Sequence, residues 1–79
     1  MNIENIELIV NELVDDCEVR ENYNVDGGEV LGYNLGGEEY KFICINNVCV
    51  VVRNDFMYDV KVVKICKNDD ELKEFLSNL

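Results

Sequence analysis

The 79-residue sequence predicts an α+β fold, a twisted antiparallel meander sheet of five strands with two helices packed on one face. Two observations lead to this prediction. Apolar residues recur with helical spacing near both ends of the chain, whereas the segments between them alternate with a period of two. Pairs of Gly, Asn and Asp divide the alternating part into short strands. We therefore expect the order α-β-β-β-β-β-α in one compact domain, residues 1–79.

The first helix is predicted over residues 3–14, where Ile and Val side chains recur at three- and four-residue spacing after a capping Asn2. Residues 17–25 then alternate between apolar and polar side chains, which is typical of a half-buried strand. Cys17, Val19, Tyr23 and Val25 fall on one side of this strand. On that predicted inner side Glu21 is the polar exception.

A second strand is predicted over residues 29–35, between turns at Asp26-Gly27-Gly28 and Gly36-Gly37. Gly32 and Asn34 interrupt its apolar pattern, and both residue types are depleted in strands. We therefore expect this second strand to lie at an edge of the sheet.

The most pronounced pattern is a hairpin over residues 40–53, in which two apolar runs flank Asn46-Asn47. Asn tolerates the positive φ angles that a tight two-residue turn requires. Counting outward from the turn places Cys44 opposite Cys49. Both faces of the hairpin are apolar, so we expect helices to cover one face, and sheet curvature, a loop or a second copy of the chain to cover the other. One face carries Ile43, Ile45, Val48, Val50 and Val52, and the other carries Phe42, Cys44, Cys49 and Val51.

After a predicted turn at Asn54-Asp55, a fifth strand is expected over residues 57–66. Its apolar side chains change face part of the way along, which predicts a bulge or sharp twist near Val62-Val63. The second helix is predicted over residues 68–79, with Asn68 as its N-cap.

The net charge of −10 belongs entirely to the first half of the chain. Residues 1–39 contain eleven acidic residues and one basic residue, whereas residues 40–79 contain six of each. Such a charge repels nucleic acid and anionic membranes and attracts basic surfaces. Acidic surfaces also keep small proteins soluble, which is the simpler interpretation. The sequence shows no secretion signal and no apolar run of membrane-spanning length, so we expect a soluble cytoplasmic protein.

The leading functional prediction is a small acidic, non-enzymatic interaction module that docks on a basic protein surface, such as that of a nucleic-acid-binding protein. The carboxylates would then mimic nucleic acid. In size and charge the chain is similar to the small acidic proteins of phages and mobile elements, including anti-CRISPR inhibitors. The predicted partner-binding residues are Glu4, Glu7, Glu12, Asp15, Asp16, Glu18 and Glu21.

A homodimeric structural module is the alternative, because one helical layer cannot cover both faces of the apolar hairpin. The two hypotheses make different demands on the acidic residues. Mimicry requires them on one continuous surface, whereas dimerisation is indifferent to most of them.

The residue types needed for common enzymatic chemistry are scarce in this sequence. Histidine is absent, no glycine-rich phosphate loop precedes a helix, and the single serine lies in the last helix. No metal site or cofactor is predicted. Asp26 followed by Glu39-Tyr40-Lys41 resembles the D…E-x-K signature of the PD-(D/E)XK nucleases, over about sixteen residues. That resemblance implies that Asp26 and Glu39 would hold Mg²⁺ while Lys41 supports the attacking water.

The four cysteines match no zinc-binding or C-x-x-C spacing. Because Cys44 and Cys49 are predicted to face each other across the hairpin, a disulfide between them is geometrically feasible. Two buried reduced thiols are the alternative, since free cysteine behaves as a small hydrophobe. Cys17 and Cys66 are expected at opposite ends of the meander.

Overall fold

In the computed structural model, the described part of the chain forms two helices and five strands in the predicted order. The structure describes residues 1–15, 17–55 and 59–79, and all of their side chains except those of Arg20 and Asp55. The elements are α1 (Ile3–Leu13), β1 (Cys17–Val25), β2 (Gly28–Leu35), β3 (Glu38–Ile45), β4 (Val48–Asp55), β5 (Asp59–Cys66) and α2 (Asp69–Ser77).

Both helices begin at the predicted asparagine caps. The Oδ1 atom of Asn2 accepts a hydrogen bond from the Asn5 N–H at 2.9 Å, and Asn68 Oδ1 accepts one from the Glu71 N–H at 2.9 Å. The Glu71 carboxylate also accepts from the Lys67 N–H at 2.7 Å, one residue before the cap. The two asparagine contacts satisfy backbone donors that the first helical turn leaves without an intrahelical partner.

The sheet is an antiparallel meander in which each strand pairs with its neighbours in the chain, in the order β1-β2-β3-β4-β5. Asn46 and Asn47 form the central turn with φ of 52° and 63°. The predicted register of the β3–β4 hairpin is confirmed, with Cys44 opposite Cys49. β1 and β5 lie at the two edges of the sheet.

The predicted edge position of β2 is wrong, because β2 pairs with β1 on one side and β3 on the other. Its two apparently weakening residues have local roles. A Cβ atom at Gly32 would come within 3.2 Å of the Glu21 Cβ, so glycine lets the Glu21 side chain lie across β2. Asn34 Oδ1 accepts a hydrogen bond from the Gly37 N–H at 2.9 Å and stabilises the turn into β3.

The predicted bulge in β5 is confirmed. Val51 pairs with Lys64 and Val52 pairs with Val62, so Val63 is the extra residue. Val63 packs against the core, whereas Val62 points to the opposite face. One inserted residue thus explains the change of face in the apolar pattern.

A second bulge, in β1, was not predicted. Val19 pairs with Tyr33 and Glu21 pairs with Gly32, which leaves Arg20 as the extra backbone position. The prediction that all four apolar residues of this strand lie on one side is therefore wrong. Cys17 and Val19 face the helices, whereas Tyr23 and Val25 face the other way. Glu21 is not an inward-facing polar residue, because the bulge places it on the face opposite the helices.

The predicted turn at Asn54-Asp55 is also wrong, because both residues continue β4, where they pair with Val60 and Asp59. The predicted start of the fifth strand at Met57 lies outside the described residues. Within them, β5 begins at Asp59.

The core lies between the sheet and the two helices, which pack on one face as predicted. α1 packs on β2, α2 packs on β5, and the helices contact each other. Leu31, Phe42 and Val51 are fully buried on neighbouring strands beneath them. The rings of Tyr33 and Phe42 meet edge to face, with centroids 5.9 Å apart.

Candidate interaction surface

The sheet face that points away from the helices, the open face, carries an apolar row across all five strands. The pairing register places these side chains next to one another on successive strands. No described element covers this row, since both described helices lie on the other face. Its members are Tyr23, Val30, Ile43, Val50 and Ile65.

Six further apolar side chains extend the row into the open apolar patch. The most exposed are on β5, where Val60 and Val62 are each 60% exposed and Ile65 is 52% exposed. Val60 and Val62 precede the Val63 bulge, and Ile65 follows it. In the sequence, the change in the apolar pattern at this bulge indicated that these side chains point away from the core. The patch consists of the row and its extension. The extension is formed by Val25, Ile45, Val48, Val52, Val60 and Val62.

The centre of the open face is partly closed without any helix. Val30 is 3% exposed and Val52 is 8% exposed. Each lies between larger or equally large side chains on both neighbouring strands, and sheet twist brings such neighbours together. Side chains of the neighbouring strands therefore shield the middle of the patch, whereas its β5 side is open.

One corner of the open face is polar and already internally paired. Lys41 Nζ lies 3.8 Å from Glu21 Oε2, and Asn54 Nδ2 donates to Glu39 Oε2 at 3.3 Å. These four residues are called the polar corner. A shallow hollow of about 330 Å³ opens beside Glu21, Glu39 and Lys41, above Gly32.

The predicted convergence of Asp26 with Glu39 and Lys41 is wrong. Glu39 and Lys41 share the open face, but Asp26 lies in the β1–β2 turn, beyond the pair that joins Gly28 to Ile45. Glu39 is six residues from Ile45 along β3, which is about 20 Å in a strand. Oxygen ligands lie about 2.0–2.6 Å from a bound metal, so the two carboxylates cannot share an ion.

Among the described residues, no group of three or more Cys, Asp or Glu side chains is arranged to hold a metal ion. In the same part of the chain, neither helix has the length and apolar character needed to cross a bilayer.

The acidic residues of α1 lie on the helical side of the molecule. Glu4 and Glu12 are exposed, and Asp15 is exposed just after the helix. Glu7 is half-buried and close enough to Tyr33 to affect its ionisation. Asp16, also predicted to bind the partner, lies outside the described residues, as do the aromatic residues Phe56 and Tyr58.

The acidic residues of β1 lie on the other side of the sheet. Glu21 pairs with Gly32 on the open face, and Glu18 lies between Cys17 and Val19, both of which face the helices. The seven predicted partner-binding residues therefore do not form one flat surface. Those of α1 and those of β1 point to opposite sides of an edge strand.

Three cysteines form a row across the core face. Cys49 pairs with Cys44 on one side and with Cys66 on the other, and all three are free thiols. Burial, together with smaller effects of the neighbouring Cys66 and Cys44, raises the pKa of the Cys49 thiol to about 12. Burial also raises the pKa of Cys66 and of half-buried Cys44. Protonated thiols are poor nucleophiles, so this row acts as part of the apolar core.

Tyr33 is the one fully buried phenol in the helix-covered core of the described chain. Its hydroxyl has no hydrogen-bond partner among the described residues. Burial raises the pKa of Tyr33 to about 12, with further contributions from Glu7 and Cys17. The neutral phenol is therefore the form that fits this core.

Comparison with known proteins gives no match: no family model fits the chain, and neither a curated protein nor a solved structure is similar to it.

Proposed function

We propose that this protein is a non-enzymatic protein-interaction module that binds its partner through the open apolar patch. The observation that carries the proposal is the apolar row from Tyr23 to Ile65, which crosses the whole sheet on the face without helices. Scattered exposed apolar residues are normal on a monomer, whereas a contiguous apolar area of several hundred Å² marks an interaction surface.

The β5 side of the patch supplies a strong driving force for binding. Val60, Val62 and Ile65 are each more than half exposed. Covering apolar surface stabilises a complex by roughly 25 cal/mol per Å² removed from water. The same side chains add nothing to the core beneath the helices, so binding gives the simplest reason for their position.

The internally paired charges of the open face support a binding role more than a catalytic one. Lys41 and Glu21 form an ion pair, and Glu39 is bonded to Asn54. A general base or nucleophile would need a partner arranged to activate it. The four free thiols fit a reducing, cytoplasmic setting for this module.

Nucleic-acid mimicry on a basic protein, as in a phage or mobile-element inhibitor, is the second candidate function. The specific observation in its favour is that Glu4, Glu12 and Asp15 are exposed on the helical side of the chain. In this reading the α1 carboxylates contact the basic surface, and the open-face residues Glu18 and Glu21 contribute little.

Affinity capture from a lysate of the source cells tests both candidates with three variants. Val62→Glu with Ile65→Glu charges the open face, Leu8→Glu makes the same replacement on the exposed side of α1, and Glu4→Lys with Glu12→Lys reverses the helical acids. Leu8 is 68% exposed, so its replacement is a matched surface control.

We expect the open-face variant to lose partners that the wild type and Leu8→Glu retain. Partners lost only by the charge-reversed α1 variant, with steep salt dependence, would support mimicry instead. A monomeric wild type that captures nothing would overturn the proposal.

A further inference from the structure

We infer that the occupant of the open face is a second copy of this chain, packed sheet against sheet in a two-fold dimer. This inference rests on the proposed function, because it identifies the partner of the same patch. The geometry points to face-to-face packing for three independent reasons: the charges of the face, its extent, and the character of the β5 edge.

The open face carries little of the net charge of −10. Its cation Lys41 is paired with Glu21, and Glu39 is hydrogen-bonded to Asn54, so the polar corner offers few carboxylates to a basic partner. The exposed acids Glu4 and Glu12 lie on the helical side. The charged residues that the register places on the open face are Glu18, Glu21, Glu39 and Lys41, which together carry a charge of −2. The rest of the face is mainly apolar, and the apolar part of another copy matches it.

Repulsion between two acidic copies is small in this arrangement. Facing sheets pack about 10 Å apart, and each helical layer lies behind its own sheet. The helix carboxylates of the two copies are thus separated by well over the Debye length of about 8 Å at physiological salt. The α1 carboxylates, which oppose self-association through the helical side, therefore have little effect on this arrangement.

The extent of the patch fits a sheet better than a helix. The row from Tyr23 to Ile65 crosses five strands, or about 19 Å at the usual strand spacing. A single helix aligned with the strands is about 10 Å across and would cover about half of the row. A second sheet covers all five strands, and a face of about 24 by 26 Å, roughly 620 Å², is about three quarters of the roughly 800 Å² that each partner buries in a standard interface.

Edge-to-edge pairing of two sheets is opposed by the lysines of β5. When β5 pairs with its own symmetry copy about its centre, Lys61 faces Lys64. Like charges directly opposite each other destabilise strand pairs, and lysine is a common device for protecting an edge strand. Dimerisation through the open face avoids these contacts because both lysines point to the helical side.

Sedimentation velocity with the full chain, across micromolar concentrations and at two salt concentrations, tests the inference. We expect the wild type to sediment at twice the monomer mass of 9.1 kDa, with no loss of dimer at high salt. Val62→Glu with Ile65→Glu should sediment as a monomer with an unchanged circular dichroism spectrum. Leu8→Glu should remain dimeric.

A wild type that stays monomeric at the highest concentration would overturn the dimer. The proposed function would survive that result if capture of another protein still depended on Val62 and Ile65. A dimer that Leu8→Glu disrupts and the open-face variant does not would also overturn the inference, because it would place the interface on the helices.

Discussion

The two faces of this sheet are similar in sequence and different in environment. Phe42 and Val51 on the core face are fully buried beneath α1 and α2, whereas Val62 and Ile65 on the open face are more than half exposed. Both faces have the apolar character of a protein interior. The comparison shows that apolar side chains alone do not determine which face of the sheet is buried. Within one chain, the placement of the helices determines it.

The largest expected difference between the faces comes from Phe42→Ala compared with Ile43→Ala. Phe42 is fully buried and contacts the Tyr33 ring, so its truncation should lower the free energy of unfolding by about 3–5 kcal/mol. Half-buried Ile43 should cost about 1–2 kcal/mol at most. Urea unfolding of both variants at one protein concentration measures the difference. Equal losses would mean that the open face is as fully packed as the core face.

Alkaline pH should destabilise the core face through its buried thiol and phenol. The pKa of Cys49 is raised from 9.0 to about 12, and that of Tyr33 from 10.0 to about 12. The unfolded chain therefore loses these protons first, and the stabilisation present below pH 9 falls between pH 9 and 12. Each group contributes a slope of roughly 1.4 kcal/mol per pH unit.

Thermal unfolding between pH 8 and 11 measures this slope. Cys49→Ala is the control, because it lowers stability at every pH but should reduce the decline that begins near pH 9, to which Cys44 and Cys66 also contribute. A wild-type stability that does not change over this range would contradict the burial of both groups.

A smaller contrast is expected from the isosteric change of valine to threonine on adjacent strands. Val51→Thr places a hydroxyl in the core and should cost about 1–3 kcal/mol. Val62→Thr places the hydroxyl in water and should change stability by no more than about 0.5 kcal/mol in the monomer. Chemical denaturation of both variants decides the matter, and a costly Val62→Thr in the dilute monomer would show that β5 is covered.

The smallest effect is a predicted gain. Tyr33→Phe removes a buried hydroxyl that has no partner among the described residues, and should raise the free energy of unfolding by about 1 kcal/mol. The unfolding midpoint in urea measures it. A loss of stability would show that the hydroxyl is hydrogen-bonded in solution.

The hairpin around Asn46-Asn47 could be predicted to the residue, because its turn requires positive φ and the period of two then fixes both faces. The bulge at Val63 left a clear signal, since valines appear on both sides of it. The only sequence signal of the β1 bulge was Glu21, a polar residue at a position where the alternating pattern predicts an apolar one. A single polar residue at such a position is also expected in a partly solvated strand without a bulge, so the sequence did not distinguish a bulged strand from a regular one.

The candidate site was less predictable than the fold. Asp26 and Glu39 are close in sequence, but β2 runs its full length between them and places them at opposite ends of the sheet. Cys66 joins Cys44 and Cys49 only because the bulge shifts the β4–β5 register. The sequence predicted a second apolar face that the helices would not cover, but the extension of this face onto β5 depends on that same register and required the structure.

The meander also determines how this chain can fold. Each strand pairs only with its neighbours in sequence, so the sheet can assemble from local hairpins with short loops to close. The contact between α1 and α2 joins the two ends of the chain, and its greater loop-closure entropy is most easily offset once the strands are in place. A sheet that formed before the helices docked would have both apolar faces bare, and exposed apolar surface of this kind makes a folding chain prone to aggregation.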